Sequence, residues 1–478
     1  MMPKTWVGRA AVCVLAMVAT GTSLEDTKLQ VKRPFVGTIG ELMNLTLSIP
    51  IGKTRVHHRI ESKNSQTQFM GVQFSTFDLP PGDTLEISSD SNSFTYTGHG
   101  PSTRFSDHVH GKSVVIQYTP SHPRAKNARP RTYAGIVVSG ILEGFPTSTG
   151  REDVCGIQPQ WWPNVCNATK FPAAYKNSKS IARLTMDGIK YGTGFLLGCD
   201  GYFLTNNHNV NSHTTAATLK LEFGAESATC RDPCNAVALG CPGSVVVTGA
   251  TLVATDKTLD YSLLQLSRAN QDLISLFGYV SLRKSPPKLH EPIYVVHHPD
   301  GFPKAFTDRL ENGTETVVTS INVQNECGQD QIGYMADTRG GSSGSPVFGR
   351  SDHKVIALHH CGGCENVAHG IHNIVADLKT KWKHNLPRCF FHATSSQSQC
   401  SLPQPHVELV GYDSGSVSAA SPKLCCELCK KQRNCNAFTW TENLDQRRNT
   451  RGGGTCWFKS QVGTLVRTTG GVSAVVLS

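Results

Sequence analysis

The chain has 478 residues, with 46 Lys and Arg against 36 Asp and Glu, a formal charge of +10 and 17 cysteines. That length exceeds one compact core and implies about three domains. The basic residues are scattered, and no basic helix or stacked aromatic platform marks a nucleic-acid surface, so nucleic acid is excluded as a partner and a solvated basic surface is the plain reading. The one short basic cluster, Arg447-Arg448-Asn449-Thr450-Arg451, runs into glycines and reads as a solvated loop.

Residues 1–21 carry a lysine near their start and an apolar core, Ala10 to Ala19, followed by small residues. That core is too short for a membrane span and reads as a cleaved signal peptide. No other stretch approaches the ~18 apolar residues of a span, so the expectation is a soluble protein, secreted and extracellular. Cysteine usage agrees. With Cys13 removed, ten cysteines fall between Cys155 and Cys389 and six between Cys400 and Cys456, so each region can pair internally, as in oxidised modules. Cys361-Gly362-Gly363-Cys364 has zinc-like or redox-like spacing but lacks a second matching knuckle, so a disulfide reading is preferred. Asn44, Asn167 and Asn312 head three N-glycosylation tripeptides.

Residues 22–150 form the first unit. Val72-x-Phe74, Leu85-x-Ile87 and Val114-x-Ile116-x-Tyr118 alternate as half-buried strands, separated by turns such as Pro80-Pro81-Gly82-Asp83. Short strands broken by Gly, Pro and Asp predict a β-sandwich. It carries no catalytic constellation and stands as a removable pro-segment, a substrate-binding module or a folding aid. His108 and His110 stand two apart, a metal-ligand spacing, yet two exposed loop histidines are the plainer reading. Thr119 to Arg131, Pro146 to Gly150 and Ala393 to Gln399 read as linkers.

The second unit, residues 151–390, holds three motifs that carry chemistry. Gly194 to Leu197, the turn Gly198-Cys199-Asp200-Gly201 and Leu204-Thr205 read as strand, hairpin and strand, ending at His208. Asp260 opens an apolar strand, Tyr261 to Leu266. Gly341-Ser342-Ser343-Gly344-Ser345-Pro346 surrounds a serine with glycines, which permit a tight turn and close approach of a substrate carbonyl. The N–H groups of Gly341 and Ser343 can there face a developing oxyanion. The order His208, Asp260, Ser343 is that of one Ser-His-Asp hydrolase class among several.

These motifs, with Gly192-Thr193-Gly194-Phe195-Leu196, resemble the chymotrypsin-fold serine endopeptidases, in particular the branch of bacterial glutamyl and lysyl endopeptidases and similar secreted proteases of oomycetes. The resemblance covers residues 155–390 and implies two six-stranded antiparallel β-barrels with the active site between them. It implies His208 as general base, Asp260 as its orienting carboxylate and Ser343 as nucleophile. Trypsins carry cysteines where Gly192 and Asn209 stand, so the disulfide joining those positions is absent here. They carry an aspartate where Ser342 stands, so activation through a new N-terminal ammonium is not expected. Asp337 occupies the place of the trypsin P1-binding carboxylate, whereas Thr338 and His359 resemble the acidic-P1 pocket of glutamyl endopeptidases. A polar P1 pocket is common to both readings, with a lean to basic P1. The stretch Phe74 to Ile87 is similar to an accessory β-sandwich that precedes some proteases of this type. The resemblance calls for no cofactor and no metal.

The tail, residues 400–478, is cysteine-dense, so disulfides substitute for a large core. Cys425-Cys426-x-x-Cys429, Cys435 to Trp440 and Gly454 to Lys459 resemble a PAN/Apple module, a curved antiparallel sheet crossed by one helix, here Pro422 to Lys431. Such modules bind proteins or carbohydrates. Trp440 and Trp457 are candidates to stack on sugar rings, with core packing as the alternative. The expected whole is mainly β: a sandwich, a double-barrel serine endopeptidase acting on proteins or peptides, and a module that holds it near cell-wall polysaccharide or an extracellular protein. The alternative is a non-catalytic extracellular adhesin that keeps the protease fold as scaffold.

Overall fold

The computed structural model describes residues 37–38, 40–52, 54–100, 104–121, 132–144, 154–267, 272–381, 386, 388–391, 404–432, 434–445, 450–461 and 464–475. The expected signal peptide, most of the three linkers, Cys400 and Arg447-Arg448 lie outside them.

The first unit is two antiparallel sheets on a common core. One pairs Glu41–Ile49, Gly135–Gly144 and Phe69–Asp78, with the short Arg104–Phe105 and Val109–His110. The other orders Val56–Glu61, Ser113–Thr119, Thr84–Ser88 and Ser93–Tyr96. The alternation legible in the sequence is the reason. Leu85 and Ile87 stand opposite Tyr118 and Ile116 on one face and bury against Val72, Phe74, Ile136 and Val138 of the facing sheet. Asp83, buried in the turn, accepts the Tyr118 hydroxyl and the Ser121 N–H, which satisfies a carboxylate that would otherwise be costly to bury.

The protease region is a double β-barrel. Its first sheet orders Val245–Thr248, Lys220–Phe223, Ile181–Met186, Lys190–Leu197, Tyr202–Thr205, Tyr261–Gln265 and Thr251–Asp256. The second orders Trp162–Pro163, Ala305–Thr307, Ile293–His297, Pro346–Gly349, Val355–Cys361, Asn366–Gly370, Gly328–Tyr334 and Val318–Asn325. Each therefore has more than the six strands that the resemblance implied. The additional strands include Gly37–Thr38 in the first, which pairs with Tyr191 and Lys190, and Trp162–Pro163 in the second. One core joins the two: Phe195, Leu197 and Leu204 meet Phe348, Leu358 and the inward face of helix Ile371–Lys381, namely Ile371, Ile374, Val375 and Leu378.

The sandwich packs on the first barrel. Phe69 and Leu142 bury with Tyr191, Ala238 and Leu239, and Lys220 Nζ pairs with Asp107 at 2.9 Å. His108 is not an exposed loop residue. Its Nε2 lies 3.0 Å from the Gly188 carbonyl and its Nδ1 3.4 Å from the Tyr191 hydroxyl, inside this interface.

The tail forms one sheet, ordered Gln404–Val410, Thr464–Val475, Ala437–Asp445, Thr450–Lys459 and Asp413–Ala419, crossed by helix Pro422–Lys431. Ser421 caps that helix through its hydroxyl, and Pro422 occupies the first turn, where its missing N–H costs nothing. Its core is largely sulfur: Cys425, Cys426, Cys429, Cys435 and Cys456 pack with Phe438 and Phe458.

All ten protease-region cysteines pair among themselves: Cys155–Cys364, Cys166–Cys230, Cys199–Cys389, Cys234–Cys241 and Cys327–Cys361. Cys361 and Cys364 thus have separate partners, as the disulfide reading expected. In the tail Cys425 pairs with Cys456 and Cys429 with Cys435.

Candidate active site

The hairpin Lys190–Leu197 and Tyr202–Thr205 leads into His208, whose neighbour Asn209 bonds the loop that enters the second barrel. Asp260 lies at the start of the neighbouring strand Tyr261–Gln265. It is a non-glycine residue at φ +43°, a conformation held by its contacts. Its Oδ1 accepts the His208 N–H at 2.9 Å and its Oδ2 accepts His208 Nδ1–H at 2.6 Å. Asn206 fixes the same residue through its carbonyl at 2.8 Å. Burial alone would raise the Asp260 pKa. The imidazoles of His208 and then His360 outweigh burial and hold it well below the usual carboxylate range. His208 Nε2 is buried and, among the described residues, meets no hydrogen-bond partner.

The serine loop is knitted to the first barrel. The Ser343 carbonyl accepts from Thr193 N–H at 2.9 Å and from Asn209 Nδ2 at 3.0 Å. Asn209 directly follows His208, so one side chain ties both loops together. A Cβ on Gly192 would lie 2.7 Å from Asn209 Nδ2, which places the two non-cysteine positions side by side. Gly344 takes φ +90°, and a Cβ there would sit 2.0 Å from the Thr193 carbonyl oxygen, so only glycine fits. Gly341 is also at φ +90°, and its carbonyl accepts from Thr193 Oγ1–H at 2.8 Å. Ser342 N–H bonds to the Arg339 carbonyl and Gly344 N–H to the His359 carbonyl. Among the described residues the N–H groups of Gly341 and Ser343 meet no acceptor.

The specificity candidates fall differently. Asp337 is buried, and its oxygens accept the N–H groups of Cys155 and Gln160, each at 2.8 Å. Thr338 donates to Asn366 Oδ1 at 3.0 Å. His359 Nδ1 lies 2.6 Å from the Tyr334 hydroxyl, and burial holds its pKa well below the ordinary value. Sequence reasoning passed over His360, whose Nδ1 lies 3.4 Å from Asp260 Oδ2, and His297, whose Nδ1 accepts from Ser342 Oγ–H at 2.8 Å. The doublet His359-His360 on an alternating strand was the available signal, since two neighbouring side chains must face opposite sides.

In the tail the two tryptophans part. Trp440 is partly buried against the sulfur core, and its indole N–H donates to the Ala419 carbonyl at 2.9 Å, as the core-packing alternative has it. Trp457 is 40% exposed. Asn167 is buried, which removes it from the glycosylation candidates, while Asn44 and Asn312 are exposed. Cys199, Asp200 and Cys389 are the one grouping of metal-ligating side chains among the described residues, and its two sulfurs are bonded to each other. No described helix is long and apolar enough to cross a membrane.

Fold and site together define a chymotrypsin-like double barrel followed by a PAN module. Residues 164–377 match the family model "Lysyl endopeptidase, C-terminal domain", and residues 410–459 match "PAN domain". The chain belongs to the family of "Secreted RxLR effector protein 73" of Plasmopara viticola, with which it is 33% identical over 338 residues, 68% of this chain and 82% of that protein. "Uncharacterized protein y4fB" of Sinorhizobium fredii is 28% identical over 203 residues, 39% of this chain, and the match spans 28% of that protein's length. Among solved structures, "Rv3671c protease, inactive form" aligns at 15% identity and TM-score 0.32, covering 47% of this chain and 100% of that one. "Deg5" aligns at 18% identity and TM-score 0.32, covering 43% and 90%.

Proposed function

We propose that this protein is a secreted serine endopeptidase in which Ser343, His208 and Asp260 act as a triad. The observation that carries the reading is the state of His208. One ring nitrogen is fixed by Asp260, and the other has no hydrogen-bond partner among the described residues. With Nδ1–H donated to Asp260, Nε2 holds the lone pair that a general base needs. Ser343 Oγ attacks the peptide carbonyl and its proton passes to His208 Nε2. Asp260 stabilises the imidazolium, and the N–H groups of Gly341 and Ser343 face the oxyanion. His208 then protonates the leaving amine, and water, activated by the same base, hydrolyses the acyl-enzyme. The P1 side chain is polar, received near Thr338 and His359. The tail serves as a holding module for carbohydrate or protein. Trp457 offers an exposed ring beside Ser416, its register partner, to that end.

The test is cleavage of a mixed-peptide library by the secreted chain and by Ser343→Ala. The variant is expected to lose on the order of 10⁶ in kcat, since the three residues act as a unit. Equal turnover by both proteins rejects the triad. Absence of cleavage by a folded wild-type chain moves the function to the sandwich and tail, as in the non-catalytic adhesin.

A further inference from the structure

The segment Cys155 to Trp162 and the loop ahead of Ser343 are joined by more contacts than a simple chain entry needs. Asp337 has both oxygens bonded to backbone N–H groups of this segment, those of Cys155 and Gln160, and is 4% exposed. Cys155 is bonded to Cys364, in the turn whose Gly363 N–H shares Asn366 Oδ1 with Thr338. Trp161 sets its ring edge-on to His297, with centroids 5.7 Å apart, and the Arg339 guanidinium lies 5.6 Å from the same indole.

From His297 a directional chain runs through the loop. Thr307 Oγ1–H donates to the Asp337 carbonyl at 3.2 Å. Its oxygen therefore accepts from His297 Nε2–H, 3.0 Å away. That leaves His297 Nδ1 as the acceptor for Ser342 Oγ–H at 2.8 Å. The imidazole must be neutral for this order to hold, and burial pushes its pKa down to about 3. Arg339 N–H donates to the same Ser342 oxygen at 3.1 Å. Ser342, next to the candidate nucleophile, is thus braced wholly by neutral groups, with no free ammonium required.

We propose that the segment Cys155 to Trp162 is a permanent clasp on the loop 337–344 and that Asp337 is a positioning residue, the anchor of that clasp, rather than the receptor of the P1 side chain. A cation entering the P1 pocket finds this carboxylate buried and already bonded at both oxygens. P1 selection rests on other groups of the pocket. The inference rests on the reading of Ser343 as nucleophile and is tested with measurements that separate the two.

The full chain is compared with Asp337→Asn and Trp161→Ala. Three readouts are taken: labelling by a fluorophosphonate, kcat and KM on peptides differing only at P1 (Lys, Glu, Gln, Leu), and backbone hydrogen exchange over residues 337–345. Asparagine presents an NH₂ group to one of the two N–H donors and so breaks half of the anchor. The expected result is a fall of about 10² in labelling rate and kcat, the scale of a lost oxyanion donor. The P1 rank order stays as in wild type, and exchange over 337–345 is faster. Trp161→Ala, which leaves Asp337 untouched, shifts the same readouts in the same direction. A loss confined to the Lys substrate, with labelling and exchange as in wild type, overturns the proposal and restores Asp337 as the P1 carboxylate. Should wild type resist the fluorophosphonate, the nucleophile reading fails, and exchange alone decides the clasp: faster exchange in both variants supports it, and unchanged exchange overturns it.

Discussion

At the scale of single residues, Asp260 is the most informative position, because two histidines approach one of its oxygens. His208 donates at 2.6 Å, while His360 Nδ1 stands at 3.4 Å. The Gln331 amide decides how His360 is turned. Its Nε2 donates to the carbonyl of Gly328 and to Asn325 Oδ1, so its Oε1 must accept from His360 Nε2–H at 2.7 Å. His360 Nδ1 therefore faces the carboxylate. Asp260 Oδ2 thus has a second imidazole within ion-pair distance, beside His208. A polar contact to a buried charge is worth ~1.5–3 kcal/mol, about 10–100-fold in rate where it matters in the transition state. We expect His360→Ala to lower kcat by about that factor with KM held. A KM change with kcat unmoved would show that His360 only packs.

At the scale of elements, the tail offers the cleanest test, since its core is built on cysteine. The bond between Cys425 and Cys456 joins helix Pro422–Lys431 to strand Thr450–Lys459. Loss of a native disulfide in a small secreted module costs ~2–5 kcal/mol. The double variant Cys425→Ala, Cys456→Ala is expected to unfold the tail at ordinary temperature and to leave peptide cleavage intact. Differential scanning calorimetry with an activity assay checks both, and a tail transition at the wild-type temperature would refute it. Much of this element was legible beforehand. With Cys456 bonded to the helix, a pairing the sequence alone left open, alternation along the strand turns Trp457 away from the core. By the same alternation Phe438 and Trp440 share a face, the buried one. The order His208, Asp260, Ser343 was legible too, because each of these residues sits beside a strand and carries a local signature. What resisted reading were the long-range polar braces: Asp337 to Cys155 and Gln160, Ser342 to His297, and His360 to Asp260. Each joins residues far apart in sequence through groups whose local context is ordinary. The pairing of Gly37–Thr38 with the first barrel was equally hidden, since two residues carry no periodicity.

At the scale of the whole molecule, the question is whether the sandwich stays on the enzyme. Its interface combines the apolar contacts of Phe69 and Leu142 with a polar centre at His108. Burial, aided by the Lys220 charge, pushes His108 down to about 3, against the opposing pull of Asp107 and the Gly188 carbonyl. Arg183 adds a further unfavourable charge, and the Tyr191 hydroxyl faces the other ring nitrogen. The docked state therefore holds His108 neutral, while a free sandwich would protonate it near the ordinary value of about 6.5. Above that pH docking is at full strength. Below it the undocked state binds the extra proton, and docking weakens about tenfold per pH unit until about pH 3. Asp107, whose pKa is lowered with Lys220 as its main stabilising partner, acts in the same direction at the acid end. A chain carrying a specific protease site between residues 145 and 151 puts this to the test. After cleavage the two pieces are expected to elute together at pH 7.5 and to separate measurably at pH 4.5, where docking is about 100-fold weaker. His108→Gln, which keeps a hydrogen-bonding side chain but cannot titrate in this range, is expected to remove most of that pH dependence. Separation of the wild-type pieces at pH 7.5 would make the sandwich a removable pro-segment. An unchanged pH response in His108→Gln would place the sensitivity in another group of the interface.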